Sequence, residues 1–132
     1  MTELEKAYLA GLFDGEGCIG YYRNRKRYAP VVSISNTDAR IIAWLHARLG
    51  GVTEPGSKKR PSHWKCLWEW RLRSKNQIIA FLSEIRPFLR IKGEQADLLL
   101  SHLSAEQEVP SIDVSTELKR LKAVEHSMHS IN

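Results

Sequence analysis

Cysteine and long apolar segments are both scarce in this sequence of 132 residues. Cys18 and Cys66 are its two cysteines, and in a chain without an export signal we expect reduced thiols rather than a disulfide. His63 and Cys66 have no matching second pair, so we expect no zinc site. The sequence contains no apolar run of about 18 residues and no basic leader followed by an apolar one. We therefore expect an intracellular protein of the cytoplasm, nucleoid or an organelle, without a membrane partner.

Positive charge is concentrated in the middle of the chain, whose formal net charge is +5. Residues 17–75 hold most of the 20 lysines and arginines, but only Asp38, Glu54 and Glu69 among the 15 acidic residues. A basic stretch between acidic ends is typical of a surface that faces a polyanion. Nucleic acid is therefore the expected partner, and the alternative is a protein that is simply soluble and basic.

The spacing of apolar residues predicts an α+β fold with elements in the order αββαββα and extra helices at the C-terminus. The first helix covers about residues 4–13, and two hairpins lie within residues 18–36 and 52–74, before and after a second helix. Ser74 and Gln77 have the spacing of a capping box for the third helix. Ser115 is expected to cap the last helix. We expect a core over residues 1–104, with residues 105–132 forming a connector and a helix packed on the same domain.

The stretch "YLAGLFDGEG" (residues 8–17) contains glycines within a helical pattern, and each interior glycine costs roughly 1 kcal/mol relative to alanine. On a helical wheel Tyr8, Leu9, Leu12 and Phe13 occupy one arc, while the opposite arc carries small residues. Such an arc buries little unless another backbone comes close, so we interpret it as a two-fold contact between two copies of the helix. Close packing on the chain's own sheet is the alternative. The expected contact residues are Ala7, Ala10, Gly11 and Asp14.

Acidic residues stand at the end of this helix, at Asp14 and Glu16. Pairing of two copies would bring the acidic ends together, and crowded carboxylates resist ionising unless they share a cation. An ion that prefers oxygen ligands, Mg²⁺ or another divalent cation such as Mn²⁺, would resolve that conflict. The arginine-bearing hairpins would flank this centre, and a β-ribbon fits the major groove of DNA.

The nine residues "LAGLFDGEG" (9–17) resemble the signature of the LAGLIDADG homing endonucleases. The αββαββα order is that family's core, and "PFLRIKGEQADLLL" (87–100) resembles the segment that carries a catalytic lysine ahead of a helix. The resemblance implies an intron- or intein-encoded enzyme that binds double-stranded DNA on an antiparallel sheet. It also implies metal-dependent hydrolysis of both strands across the minor groove. Because the signature occurs once, it implies a homodimer on a long, approximately palindromic target.

The resemblance also implies roles for individual residues near the helix end. Glu16 occupies the position of the family's metal-binding carboxylate, and the carbonyl of Gly15 often completes that metal site. We interpret Asp14 as a hydrogen-bonded helix-end residue rather than a metal ligand.

Three further residues match positions of the family's catalytic machinery. Lys92 matches the basic residue near the scissile phosphate, with an ordinary surface lysine as the alternative. Asn36 stands where the family often has the longer glutamine, which leaves a water-positioning role open. Arg40 falls on the basic position one helical turn later, and a solvated helix charge is the alternative. Together with Glu16, these are the candidate catalytic residues.

The alternation of the strands divides the sheet into a core face and a face for DNA. The expected core face carries Val32, Ile34, Trp68, Trp70 and Leu72. Arginine, lysine, asparagine and glutamate side chains on the opposite face suit the edges of DNA bases. The basic turn at Lys58, Lys59 and Arg60 is expected to contact phosphates, with a solvated turn as the alternative. The candidate base-contacting residues are Tyr22, Asn24, Lys26, Arg27, Ser33, Glu69, Arg71 and Arg73.

Two other functions fit the same sequence. Some members of the family assist the folding of their own intron RNA as maturases, so intron RNA is a second possible partner. A catalytically inactive relative that only binds DNA is the other alternative. Metal-dependent cleavage separates both from an endonuclease.

Overall fold

The computed structural model describes residues 1–56, 66–105 and 111–130. The predicted αββαββα order is confirmed, and further helices follow it. A short 3₁₀ helix at Arg86–Phe88 joins α3 to α4. The elements are α1 (Glu3–Glu16), β1 (Gly17–Asn24), β2 (Arg27–Asn36), α2 (Ala39–Leu49), β3 (Val52–Pro55), β4 (Trp68–Leu72), α3 (Lys75–Ile85), α4 (Gly93–Ser104) and α5 (Ser111–Ser130).

The four strands form one antiparallel sheet in the order β1-β2-β4-β3. Val32 lies opposite Ile19 and Leu72, while Ile34 lies opposite Trp70, so these side chains share one face. All five are buried in the core against the helices. The predicted core face is therefore correct, with Trp68 half-buried at its end. The other face of the sheet, here termed the outward face, carries the residues between them.

Helix termini differ from the sequence prediction at two places. Ser74 is the N-cap of α3, but its side chain makes no capping hydrogen bond, so the predicted capping box is wrong. Ser115 lies inside α5, which begins at Ser111, so the predicted cap of the last helix is also wrong. The helix extends further because Val114 packs in the core one turn before Leu118. A capping box is present instead at the start of α1.

Within the described residues, no helix combines the length and apolar character needed to cross a bilayer.

Candidate functional site

The junction between α1 and β1 places Glu16 beside the end of β2. Gly17 leaves the helix in an extended conformation, and a Cβ at this position would lie 2.3 Å from the ring of Phe13. The glycine therefore permits the abrupt change from helix to strand. Pairing of Gly17 with Ile34 then brings Asn36 to the helix end. The Asn36 Nδ2 atom donates a hydrogen bond of 2.7 Å to Glu16 Oε2, so two of the predicted catalytic residues are in direct contact.

Arg40 is connected to this pair through the start of α2. The Asn36 Oδ1 atom accepts a hydrogen bond of 2.8 Å from the backbone N–H of Asp38. The Asp38 carboxylate caps α2 and accepts hydrogen bonds of 3.1 and 2.8 Å from the Arg40 guanidinium. These hydrogen bonds and the charge of Asp38 raise the pKa of Arg40. With 91% of its side chain exposed, Arg40 presents a fixed positive charge to solvent.

Asp14 fixes the segment that carries Lys92. Its carboxylate accepts backbone hydrogen bonds from Arg90, Ile91 and Lys92 at 2.8, 3.1 and 3.0 Å. The Lys92 Nζ atom also donates to the backbone carbonyl of Asp14 at 3.1 Å. The hydrogen-bonded role predicted for Asp14 is thus present in the structure. Its side chain is buried against its own chain, and its placement among the dimer-contact residues was wrong.

Lys92 is buried rather than solvated, with only 6% of its surface exposed, so the surface-lysine alternative is wrong. Its ammonium forms an ion pair with Glu125 of α5, at 3.0 and 3.1 Å from the two carboxylate oxygens. Sequence reasoning missed Glu125. Val114 and Leu118 mark the buried side of α5, and Glu125 lies on the same side two turns after Leu118. This position was the available signal.

The outward face of the sheet brings together most of the predicted DNA-contacting residues. Cys18 lies opposite Ser33, Ser33 lies opposite Arg71, and Asn24 lies opposite Arg27. One groove in this face is lined by Tyr22, Ser33, Glu69, Arg71 and Arg73, among other residues. Lys26 lies in the turn between β1 and β2, while Lys58, Lys59 and Arg60 fall outside the described residues.

Two carboxylates lie beside Arg71, one of the residues that line this groove. Arg71 Nε lies 2.9 Å from Glu69 Oε1, and the guanidinium also pairs with Glu54. Desolvation, together with the charge of Arg73, lowers the pKa of Arg71. These carboxylates fix the orientation of a side chain that would otherwise be free to rotate.

Lys122 of α5 adds a positive charge to the outward face that sequence reasoning did not predict. Its Nζ atom lies 3.6 Å from Cys18 Sγ, 3.5 Å from the Tyr22 hydroxyl and 5.6 Å from the Tyr22 ring centroid. Lys122 lies outside the basic stretch over residues 17–75, so the concentration of charge in the sequence did not indicate it.

One face of α1 is left open by the residues that the structure describes. Apart from the backbone of α1 itself, none of their atoms lies within 4 Å of a Cβ built at Gly11 or Gly15, so packing among the described residues does not explain these glycines. Leu4 and Tyr8 share this face, with exposures of 84% and 53%. Tyr8 was predicted on the core arc and was misplaced, since it is largely exposed and its ring meets the ring of Trp44 in α2 edge-on, at 5.9 Å between centroids.

Ala10 was also misplaced by the helical wheel. It was predicted as a dimer-contact residue, but it is completely buried in its own protomer beside Leu9 and Phe13. Ala7 and Gly11 remain exposed. We define the open face of α1 as Leu4, Ala7, Tyr8, Gly11 and Gly15.

The predicted metal ligands lie at the end of α1. Among the described residues, no group of three or more histidine, cysteine or acidic side chains converges where a metal ion could be held. Glu16 and Gly15 are exposed at the helix end and offer a carboxylate and a carbonyl, which are oxygen donors suited to Mg²⁺ or Mn²⁺. A complete coordination shell would need oxygen atoms from outside this chain.

Replacing Asp14 with alanine is expected to lower the free energy of unfolding by about 2–4 kcal/mol, because three backbone N–H groups lose a charged acceptor. Urea denaturation monitored by circular dichroism measures this change. Asp113→Ala, which removes an exposed carboxylate from the first turn of α5, is the control and should cost less than about 1 kcal/mol. Equal decreases in the free energy of unfolding for the two variants would show that the hydrogen bonds of Asp14 stabilise the fold no more than an exposed carboxylate does.

Comparison with known proteins gives a consistent family assignment. The profile of the LAGLIDADG-like domain matches residues 3–86. No curated protein sequence matches the chain. Several solved structures share its fold at low sequence identity.

The homing endonuclease I-CvuI, solved with the I-CreI target in 2 mM Mg and with the DNA uncleaved, has a TM-score of 0.71 and 21% identity. The match covers 90% of this chain and 82% of that chain. The archaeal intron-encoded homing endonuclease I-Vdi141I, solved with DNA, has a TM-score of 0.61 and 14% identity, over 92% of this chain and 98% of that one. The profile match covers the elements from α1 to α3, which carry Glu16, Asn36 and Arg40, and it ends before Lys92. The chain therefore belongs to the LAGLIDADG-like domain family.

Proposed function

We propose that this protein is a divalent-metal-dependent DNA endonuclease that acts as a homodimer. The observation that carries this proposal is the contact between Glu16 and Asn36 at the end of α1, with Lys92 tied to the same turn through Asp14. A carboxylate and an amide thus meet at the edge of a sheet with an arginine-bearing face, and Arg40 and Lys92 are linked to them through Asp38 and Asp14. DNA-bound relatives with the same fold support this assignment.

The donor atoms at the helix end fit a hard divalent cation. The Glu16 carboxylate and the Gly15 carbonyl would hold it, and a second protomer and the DNA phosphates would supply further oxygen ligands. A bound divalent cation lowers the pKa of a water molecule and stabilises the leaving oxygen of a phosphodiester. Magnesium is the simplest candidate for this role.

The side chains around Glu16 have distinct tasks in this proposal. Asn36 orients the Glu16 carboxylate through its 2.7 Å hydrogen bond. Lys92 presents an ammonium N–H to the scissile phosphate, and Arg40 offsets its negative charge from the start of α2. Because Asn36 is already bound to Glu16 and to the backbone of Asp38, it acts on the carboxylate rather than on a free water.

Two copies of the chain would meet through the open face of α1. Glycines at positions 11 and 15 allow two helix backbones to approach closely, and a two-fold axis is the commonest symmetry for such a contact. That axis brings the two Glu16 residues together and places an outward face on each side. The target is therefore long and approximately palindromic.

Cleavage of plasmid DNA tests the proposed function. A supercoiled plasmid library with a randomised insert is incubated with the purified chain in Mg²⁺ or in EDTA, and linear products are sequenced. The expected result is linear DNA cut within a shared sequence, formed only with Mg²⁺. Salt-sensitive binding without cutting would instead identify an inactive DNA-binding relative or an RNA maturase.

Lys122→Ala is expected to weaken DNA binding about equally across target sequences, because a charge at the edge of the outward face contacts phosphate rather than bases. The slope of log K against log salt should fall by about one per protomer. Fluorescence anisotropy at several salt concentrations measures both quantities. Lys119→Ala removes an exposed lysine from the same helix and is the control. An unchanged slope for Lys122→Ala would remove this lysine from the DNA-binding surface.

A further inference from the structure

Helix α5 reaches the proposed cleavage site with a carboxylate that the family resemblance did not indicate. Both oxygens of Glu125 lie within 3.1 Å of Lys92 Nζ. The Gln95 Nε2 atom also donates to Glu125 Oε1 at 2.9 Å. Glu125 therefore accepts hydrogen bonds from two side chains of the segment around the start of α4.

Burial makes this contact different from the exposed ion pairs of the protein. The side chains of Lys92 and Glu125 are 7% and 20% exposed, whereas the Arg120 and Glu117 pair on the same helix is 60% and 43% exposed. A buried ammonium without a counter-charge is strongly disfavoured. Glu125 supplies this counter-charge at the Lys92 ammonium.

We propose that Glu125 is a positioning residue that holds the ammonium of Lys92 beside the end of α1. The proposal deepens the proposed nuclease function, on which its cleavage readout rests. It also gives α5 a part in the site, although the family profile ends at residue 86.

The hydrogen-bonding capacity of the ammonium shows how this arrangement serves a phosphate. Lys92 Nζ has three N–H donors, and one is used by the Asp14 carbonyl. Both oxygens of the Glu125 carboxylate also lie within hydrogen-bond distance of Nζ. A phosphate oxygen would therefore receive an N–H of Lys92 by taking the place of one Glu125 oxygen, while the other oxygen and the Asp14 carbonyl keep the ammonium in position.

Glu125→Gln is the most informative substitution because it preserves size but changes both charge and hydrogen bonding. A glutamine offers one acceptor oxygen where the carboxylate offers two, and its NH₂ group would face a donor of Lys92 or Gln95. Glu117→Gln makes the same chemical change at an exposed position of the same helix and is the matched control. Glu125→Asp keeps the charge but shortens the reach by one methylene.

The first measurement uses the free protein and needs no DNA. In ¹⁵N-lysine-labelled protein, a buried and hydrogen-bonded ammonium gives a slowly exchanging Nζ–H signal, which the Lys92→Met variant identifies by its loss. We expect this signal in the native protein and in Glu117→Gln, and its loss in Glu125→Gln. Persistence of the signal in Glu125→Gln would overturn the proposal.

The second measurement is the single-turnover cleavage rate on a target selected with the native protein. Glu125→Gln should reduce this rate about 10- to 100-fold, with DNA affinity unchanged within about twofold and an intermediate rate for Glu125→Asp. The double variant with Lys92→Met should be no slower than Lys92→Met alone, because Glu125 acts through Lys92. If the rate losses of Glu125→Gln and Lys92→Met multiply in the double variant, Glu125 does not act through Lys92 and matters only for packing.

Failure of the two proposals can be distinguished. If the native chain binds DNA but cuts none, the nuclease function falls, and the ammonium signal still decides whether Glu125 holds Lys92. If the native chain cuts and Glu125→Gln cuts equally fast, only the positioning role is overturned.

Discussion

The Glu16→Gln variant is expected to lose DNA cleavage by a factor on the order of 1,000 or more, because an amide cannot replace a carboxylate as a ligand for a divalent cation. The folded structure should be unaffected. Glu16 is exposed, and a glutamine of the same length can still accept the hydrogen bond from Asn36. DNA affinity should stay equal or increase, since a negative charge near the phosphates is removed.

Single-turnover cleavage on a selected target measures the loss, and fluorescence anisotropy in Ca²⁺ measures the affinity. Glu3→Gln, which neutralises an exposed carboxylate at the other end of α1, is the control and should cleave at the native rate. If the native protein cuts the target, comparable rates for the two variants would contradict the assignment of Glu16 as a metal ligand.

Local patterns in the sequence were sufficient to predict the sheet and its two faces. The period of two in β2 and β4 places Val32, Ile34, Trp70 and Leu72 in the core, as the register shows. When helices cover one face of a sheet, only one register of each strand points its apolar side chains toward them. The turn at Arg25 and Lys26 was likewise evident from the charged residues between two apolar runs.

The rotation of α1 could not be obtained from the sequence, because two packing faces compete for one helix. Small residues such as Ala10 fit either a close helix contact or the interior of the protomer, and the wheel alone does not distinguish the two. The structure buries Ala10 and exposes Tyr8. Asp14 shows the same difficulty, since its partners at residues 90–92 are far away along the chain.

The helical wheel alone predicted a cation at the acidic end of α1, but the roles of Asn36, Arg40 and Lys92 depended on the family resemblance. Glu16 and Asn36 are 20 residues apart, and Lys92 and Glu125 are 33 residues apart. Contacts of this range follow from the topology of the whole domain. Glu125 was missed because the apolar spacing of α5 indicates which side of that helix is buried but not which residue faces it.

The Gly11→Gln variant is expected to abolish homodimer formation without destabilising the protomer. A Cβ at Gly11 meets no atom of the described chain within 4 Å, so the protomer accommodates the side chain. Replacing an interior helical glycine should in fact stabilise α1 by roughly 0.5–1 kcal/mol. In a close two-fold contact, however, the new side chain of each protomer would strike the partner's backbone, because only glycine permits that approach.

Analytical ultracentrifugation and urea denaturation separate these two effects. We expect a dimer for the native protein, a monomer of unchanged or higher stability for Gly11→Gln, and loss of double-strand cleavage in the monomer. Ala47→Gln adds the same side chain at an exposed position of α2 and should remain dimeric. A dimeric Gly11→Gln variant would place the two-fold contact elsewhere than on the open face of α1. A destabilised monomer would instead mean that Gly11 serves the fold of the protomer itself.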